Sequence, residues 1–363
     1  RRWEWETIQA LLYKVSIKSL ALQQTQNIGG SFINQLKNII ITFLAAKSVI
    51  EGELTLGAML SVQYILGQLN VPINSLITFI QSAQDTQISI ARISDVHLQH
   101  DEENKMEDNI KLLPANKSIY IDNLSFRYGS KHSPLILKNI NLSIPQGKVT
   151  AIVGASGSGK TTLVKHLLRI VDPTNGLIKI GNTFLNNLSV SFWRTKCGSV
   201  MQEGYIFSDT IARNITESDS EGLIDKKRLL EAVKIANIDS FIESLPMGYN
   251  TKIGTSGMGI SGGQKQRILI ARAIYKNPDY LFFDEATSAL DSTNESEIMK
   301  KLNLFFKNRT VVVVAHRLST VKNADNIIVL DNGEIIEEGN HIELVNKKGV
   351  YFKLVKDQLE LGN

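Results

Sequence analysis

Residues Gly154 to Thr162 read GASGSGKTT, and this short run restricts the fold more than any other stretch of the chain. It fits G-x-x-x-x-G-K-[ST] with both flanks in order: the β-branched run KVTAIV enters it, and TTLVKHLLRI leaves it with the character of a helix. A glycine-rich turn so placed belongs to an α/β core, because its backbone N–H groups converge on one point only when a strand and a helix N-terminus hold it from both sides. Phosphate oxygens are what such a cradle accepts. The binding set is Gly154, Ser156, Gly157, Ser158, Gly159, Lys160, Thr161 and Thr162. Within it Lys160 reaches the β- and γ-phosphates of a nucleotide such as ATP, and the Thr161 hydroxyl is able to ligate Mg²⁺.

The stretch YLFFDEATSALD supplies the complementary charge. Tyr280 to Phe283 reads as a buried strand that delivers Asp284 to the metal at its C-terminal end, where α/β sheets bind ligands. The adjacent Glu285 is set to polarise a water in line with the γ-phosphate. Upstream, IYIDNLSFRYG and ILKNINLSIPQGKVTAIVG read as strands, the latter split at PQG. One motif is left over. GMGISGGQKQR, from Gly257 to Arg267, looks like a second phosphate cradle in which Ser261, Gly262, Gly263 and Gln264 open a helix, yet one nucleotide needs one cradle.

The first hundred residues differ in kind. Leu54 to Gln84 is a run of 31 residues without a charge, enough as a helix to cross a bilayer core of about 30 Å. A weaker run precedes it, from Ser19 to Leu36, interrupted by Lys37 and continued to Lys47. Arg1, Arg2, Lys14 and Lys18 come before the first run and Arg92 and Lys105 after the second, so the positive-inside rule places both ends in the cytoplasm. In the second run Gln63, Gly67, Asn70, Asn74, Thr78, Gln81 and Asp85 fall on one helical face, and Asn27, Ser31, Asn34, Asn38 and Thr42 do so in the first. Such stripes serve either interhelical hydrogen bonding or a water-filled path. Gln99 to Asn109 is an acidic charge run with the character of a solvated linker. A net charge of +4 is too mild to argue for nucleic acid, and the single cysteine, Cys197, excludes an intramolecular disulfide and a thiolate metal cluster.

Together these residues resemble the ATP-binding cassette family. ISGGQ is similar to the signature motif of that family, which caps the nucleotide held on the P-loop of a second cassette; the resemblance thus implies a homodimer with two composite ATP sites. It further implies that Tyr128, in FRYG, stacks on adenine, that Gln202, in VMQEGYIF, touches Mg²⁺ or the attacking water, that His316, in VVVAHRLST, contacts the γ-phosphate, and that Asp291, in SALD, lies in the loop crossing the dimer axis. NVPINSLITFIQSAQDTQISIARI is similar to the last membrane helix of exporters in the family, so the chain is expected to open partway along the fifth of six. The likeness is strongest to bacterial peptidase-containing exporters of bacteriocins and other leader peptides. Two departures stand out: Thr255 occupies a position where many exporters carry an acid, and no cysteine peptidase is present, Cys197 having no Cys/His setting.

The resulting expectation is a membrane α-helical hairpin, part of a six-helix exporter domain, followed by an α/β P-loop ATP-binding cassette domain. Residues 1–98 would hold spans at about 22–48 and 55–84, residues 99–116 the linker, and residues 117–363 the cassette. With ATP and Mg²⁺ as cofactors, a second copy of the chain and the lipid bilayer as partners, and no nucleic acid, the chain would export a peptide across the bacterial inner membrane. Catalysis would rest on Glu285, Gln202 and His316, and the metal on Thr161, Gln202 and Asp284. An exporter of lipid or drug would carry the same cassette, and so would a soluble cassette ATPase acting on nucleic acid or ribosomes.

Overall fold

The two largely uncharged runs lie within two long helices, α1 (Arg2–Ile50) and α2 (Leu56–His97), the second of which continues through Pro72. The computed structural model describes residues 2–97, 110–130, 132–219, 224–255, 257–286, 292–315 and 321–360. It divides into two units, Arg1–His100 and Asp101–Asn363. In the first, the chain reverses over Glu51 to Thr55, where Gly52 takes a left-handed φ of 81° that a side chain would resist, and the Thr55 hydroxyl accepts from the Ala58 N–H to start α2. The half-buried positions of α2 include Ala58, Val62, Leu66 and Asn70, one every four residues; those of α1 include Asn34, Lys37, Asn38 and Ile41, followed by the buried Ala45.

The polar stripe of α2 divides in two in this hairpin. Asn70 turns toward α1, where its Oδ1 accepts from Lys37 Nζ at 3.0 Å, while Gln63, Asn74, Thr78 and Gln81 are exposed. No helix among the described residues is long and apolar enough to cross a membrane. The amides that recur through α2 and the Lys37 break in α1 are what lower the hydropathy. Even so, the unit leaves its large apolar side chains uncovered: Phe32, Ile39, Phe43, Leu76 and Phe79 are exposed, and Ala45 is the one buried hydrophobic residue among those described.

The second unit is built on two sheets. Strands β1 (Ile119–Phe126), β2 (Leu137–Ile144), β4 (Asn175–Ile180) and β5 (Thr183–Phe184) form an antiparallel sheet in the order β2-β1-β4-β5. Strands β3 (Val149–Val153), β6 (Cys197–Val200), β7 (Tyr280–Asp284), β8 (Thr310–Val314), β9 (Asn326–Asp331) and β10 (Glu334–Gly339) form the other, in the order β10-β9-β3-β8-β7-β6. All its pairs are parallel except β10 on β9. Ile110 is already joined to this unit, its N–H donating to Asn187 O and its carbonyl accepting from Ser189 N.

The central strands β3, β7, β8 and β9 are buried on both faces of the sheet, which is why they are nearly continuous apolar runs, whereas the edge strand β10 alternates exposed and half-buried positions. On one face Ile152, Tyr280, Phe282, Val312 and Val314 pack with Leu163, Val164 and Leu167 of helix α3 (Lys160–Leu167) and with β1 and β2. On the other face Ala151, Val153, Leu281, Phe283, Val311 and Val313 pack with helices α6 (Lys226–Ile235) and α8 (Gly262–Tyr275). In sequence α4 (Val190–Lys196) and α5 (Ile211–Ile215) precede α6, α7 (Asp239–Glu243) lies between α6 and α8, and α9 (Ser292–Phe306) follows β7. The P-loop helix and the signature helix therefore lie on opposite faces of one sheet.

Trp193 of α4 closes the α3 side. Its ring is fully buried 4.8 Å from Tyr280, and its Nε1 donates to Leu167 O at 2.9 Å, satisfying a carbonyl that the end of α3 leaves over. Trp193→Phe keeps most of the packing and strands that carbonyl, so denaturant unfolding is expected to show a loss of about 1–3 kcal/mol.

Candidate active site

The loop that follows β3 is shaped by its glycines. Gly154 has a φ of 154° and a Cβ there would come 2.0 Å from Leu330 O; at Gly159, with φ 104°, it would come 2.8 Å from a Leu137 methyl. Only glycine fits either place, whereas Gly157, with φ 80°, has nothing within 4 Å and keeps the loop open on that side. Lys160, Ser158 and Thr162 are buried, and Thr161 is half-buried. Lys160 Nζ bends back to donate to the carbonyls of Gly154 and Ala155 at 2.9 and 2.7 Å. Burial lowers the Lys160 pKa, and the nearby Glu285 and Asp284 carboxylates oppose that shift. The Ser158 hydroxyl is buried with no hydrogen-bond partner, an orphan that a phosphate oxygen would satisfy.

Those carboxylates arrive from β7, two strands from β3 with β8 between. Asp284 ends β7 fully buried. Glu285 follows with a left-handed φ of 52°, a conformation that costs a non-glycine residue about 1–3 kcal/mol, and its N–H donates to Val314 O at 3.2 Å. Its side chain is held from a third strand: Gln202, two residues past β6, donates from Nε2 to Glu285 Oε2 at 3.1 Å. Among the described residues no group of three or more His, Cys, Asp or Glu side chains could by itself hold a metal ion. The donor set of one hydroxyl and one carboxylate, Thr161 and Asp284, suits Mg²⁺, which takes few protein ligands beside nucleotide phosphates and water.

Tyr128 is exposed, with its ring edge-on to Phe126 at 4.7 Å; Phe126 in turn meets His166 of α3 edge-on at 4.5 Å. This chain of rings ties Tyr128 to the P-loop helix. Neither Phe126 nor His166 carries a sequence signal that would have marked it. Ser261 stands elsewhere: it caps α8, where its Oγ accepts from Gln264 N and Gln264 Oε1 accepts from Ser261 N at 2.8 Å, a reciprocal capping box. Gly262 and Gly263 form the first turn of that helix. Two residues beyond Gln264, Gln266 donates to the Glu285 carbonyl at 3.2 Å, a contact the sequence reading missed. The Thr255 hydroxyl pairs with that of Ser208 at 2.8 Å. Asp291 and His316 lie outside the described residues. Cys197 is buried, which raises its thiol pKa well above the ordinary value.

A P-loop helix, a buried aspartate and a glutamate at the C-terminal edge of a parallel sheet define an α/β nucleotide-binding domain. Residues 137–288 match the family described as ABC transporter, and the unit that carries them is an ABC transporter domain. The chain is 42% identical over 336 residues to the alpha-hemolysin translocation ATP-binding protein HlyB of Escherichia coli O157:H7, covering 93% of this chain and 46% of that protein. It is 40% identical over 348 residues to the leukotoxin export ATP-binding protein LtxB of Aggregatibacter actinomycetemcomitans, covering 96% and 48%. The chain thus spans about half the length of these relatives. Among solved structures, that of a bacterial Atm1-family ABC exporter with ATP bound matches with a TM-score of 0.78 at 33% identity, over 94% of this chain and 60% of that one.

His166 carries a consequence for stability. Burial lowers its pKa, with the Thr162 carbonyl and Asp172 opposing, so the folded site binds a proton less readily than the unfolded chain. Its contribution is present above the ordinary imidazole value of 6.5 and is lost as pH falls through the lowered folded value. Unfolding free energies measured across that range are expected to decline toward acid, and His166→Gln to flatten the decline.

Proposed function

We propose that the chain is the C-terminal part of a homodimeric, ATP-driven exporter of a polypeptide in the bacterial inner membrane. The observation that carries this is the meeting of Lys160, Asp284, Glu285 and Gln202 at one sheet edge, a set whose chemistry suits hydrolysis of a γ-phosphate. The P-loop N–H groups and Lys160 bind the phosphates, and Tyr128 stacks on adenine. Thr161 and Asp284, with Gln202, would hold Mg²⁺, which would supply neutralisation of phosphate charge there. Glu285 accepts a hydrogen bond from the attacking water and polarises it, Gln202 steadies its carboxylate, and His316 contacts the γ-phosphate. Ser261 to Gln264 serve the nucleotide of a second copy, with Asp291 near the two-fold axis. The opposite-face placement of α3 and α8 favours this trans reading, and an isologous dimer provides two such sites.

The uncovered apolar side chains of α1 and α2 favour a hairpin that lies in lipid beside other membrane helices, rather than one that stands in water. In this reading the polar stripes are satisfied between helices or along a path. ATP drives the hairpin from inward-facing to outward-facing by binding the closed dimer better than the open one. Relatives named for alpha-hemolysin translocation and leukotoxin export support a peptide or polypeptide cargo.

Two experiments test the reading. Glu285→Gln is expected to slow ATP hydrolysis by roughly 10²- to 10⁴-fold with ATP binding intact, and near-normal turnover would remove Glu285 from its role. A mixed dimer of Lys160→Ala and Ser261→Arg chains combines both defects in one composite site and leaves the other whole. Nucleotide trapping in the mixed dimer, absent from either parent homodimer, is the expected sign of a signature acting in trans; a complex with ATP bound between Ser261 and Lys160 of the same chain would overturn it.

A further inference from the structure

The segment from Gln202 to Thr210 runs from the candidate site to the surface, and α8 holds it along the way. Gly204 lies so close to α8 that a Cβ would come 2.2 Å from a Leu269 methyl. One turn on, Arg272 uses each nitrogen of its guanidinium: Nη1 donates to Tyr205 O at 2.9 Å, Nε to Asn214 O at 2.7 Å and Nη2 to Asn214 Oδ1 at 3.0 Å. The same group lies 5.3 Å from the centre of the Phe207 ring. Asn214, buried in α5, completes the clamp. Its Oδ1 accepts from Phe207 N at 2.9 Å, and its Nδ2 donates to the carbonyls of Phe207, Asp209 and Thr210 at 3.0, 3.3 and 3.1 Å. A loop with exposed side chains at Tyr205 and Phe207 therefore has its backbone hydrogen-bonded at Tyr205, Phe207, Asp209 and Thr210.

Gln202 is three residues from Tyr205, and it donates to the Glu285 carboxylate. The first turns of α8 meet the same residue through Gln266. We propose that Arg272 is a positioning residue for ATP hydrolysis: by locking the Tyr205–Thr210 segment to α8 and α5, it makes the reach of Gln202 to Glu285 depend on where α8 stands. The proposal rests on the function above. Its geometric demand is specific, because three acceptors, one on each guanidinium nitrogen, match a fork and not the single point charge of a lysine.

The test is a steady-state ATPase cycle on the full-length exporter with Arg272→Lys, Gln202→Ala and the double variant. Arg272→Lys is expected to lower kcat by roughly 10- to 100-fold, the scale of a misplaced catalytic group, while KM for ATP stays within about twofold. In the Gln202→Ala background it is expected to add nothing, since it acts through Gln202. Gly204→Ala, which pushes the same loop off α8 without touching Arg272, is expected to give the same kcat loss and the same non-additivity, and it serves if Arg272→Lys fails to fold. Unchanged kcat, or an equal loss with and without Gln202, overturns the proposal. A wild type without ATPase activity overturns the function reading and this proposal together, whereas an active wild type with unaffected variants overturns this proposal alone.

Discussion

Burial of the central strands of the six-stranded sheet on both faces is the constraint on which the rest of the second unit depends. Because side chains alternate along each strand, Tyr280 and Phe282 enter one core while Leu281 and Phe283 enter the other, and a one-residue slip of β7 would exchange the two sets. The register thereby holds Asp284 at the end of its strand, level with Val314 of β8. Polar chemistry is confined to that edge, where strands give way to turns and backbone N–H groups are released from the ladder. The left-handed backbone at Glu285 and the glycines of the P-loop are local distortions that a sheet packed on both sides can hold in place.

Two motifs of similar composition meet different fates within this frame. At Gly154 to Thr162 the glycines answer to close contacts, with Leu330 O and Leu137 standing where a Cβ would be. At Ser261 to Gln264 the serine closes a capping box and the glycines are ordinary first-turn residues. The first is a site built inward, against its own strands, and the second is a helix end built outward from the opposite face. Their separation by the sheet gives physical content to the idea that one chain holds half of each of two sites.

The helical unit is governed by the reverse of this logic. Its contacts are few, its hydrophobic residues point outward, and a lysine and an asparagine meet where α1 crosses α2. The Lys37–Asn70 hydrogen bond assigns one member of the polar stripe to helix packing, leaving Gln63, Asn74, Thr78 and Gln81 to face whatever covers the hairpin. The mean hydropathy that these amides lower is thus a consequence of position along one face, since polar and apolar residues share each turn.

Much of the second unit was legible because its signals are local. A strand of β-branched residues, a turn that demands glycine and a helix start with a capping serine each depend on neighbours a few residues apart, so GASGSGKTT, YLFFDE and ISGGQ announce β3–α3, β7 and α8 directly from spacing. The two long helices could be read in the same way, though not what they face. Tertiary structure alone decided the contacts that join distant positions: Gln202 on Glu285, Arg272 on Tyr205 and Asn214, the Tyr128–Phe126–His166 rings, and Lys37 on Asn70. The reason is the strand order. β3 and β7 are brought within one strand of each other by β8, which comes later in the chain than either, and no periodicity in one segment records which other segment the sheet will set beside it.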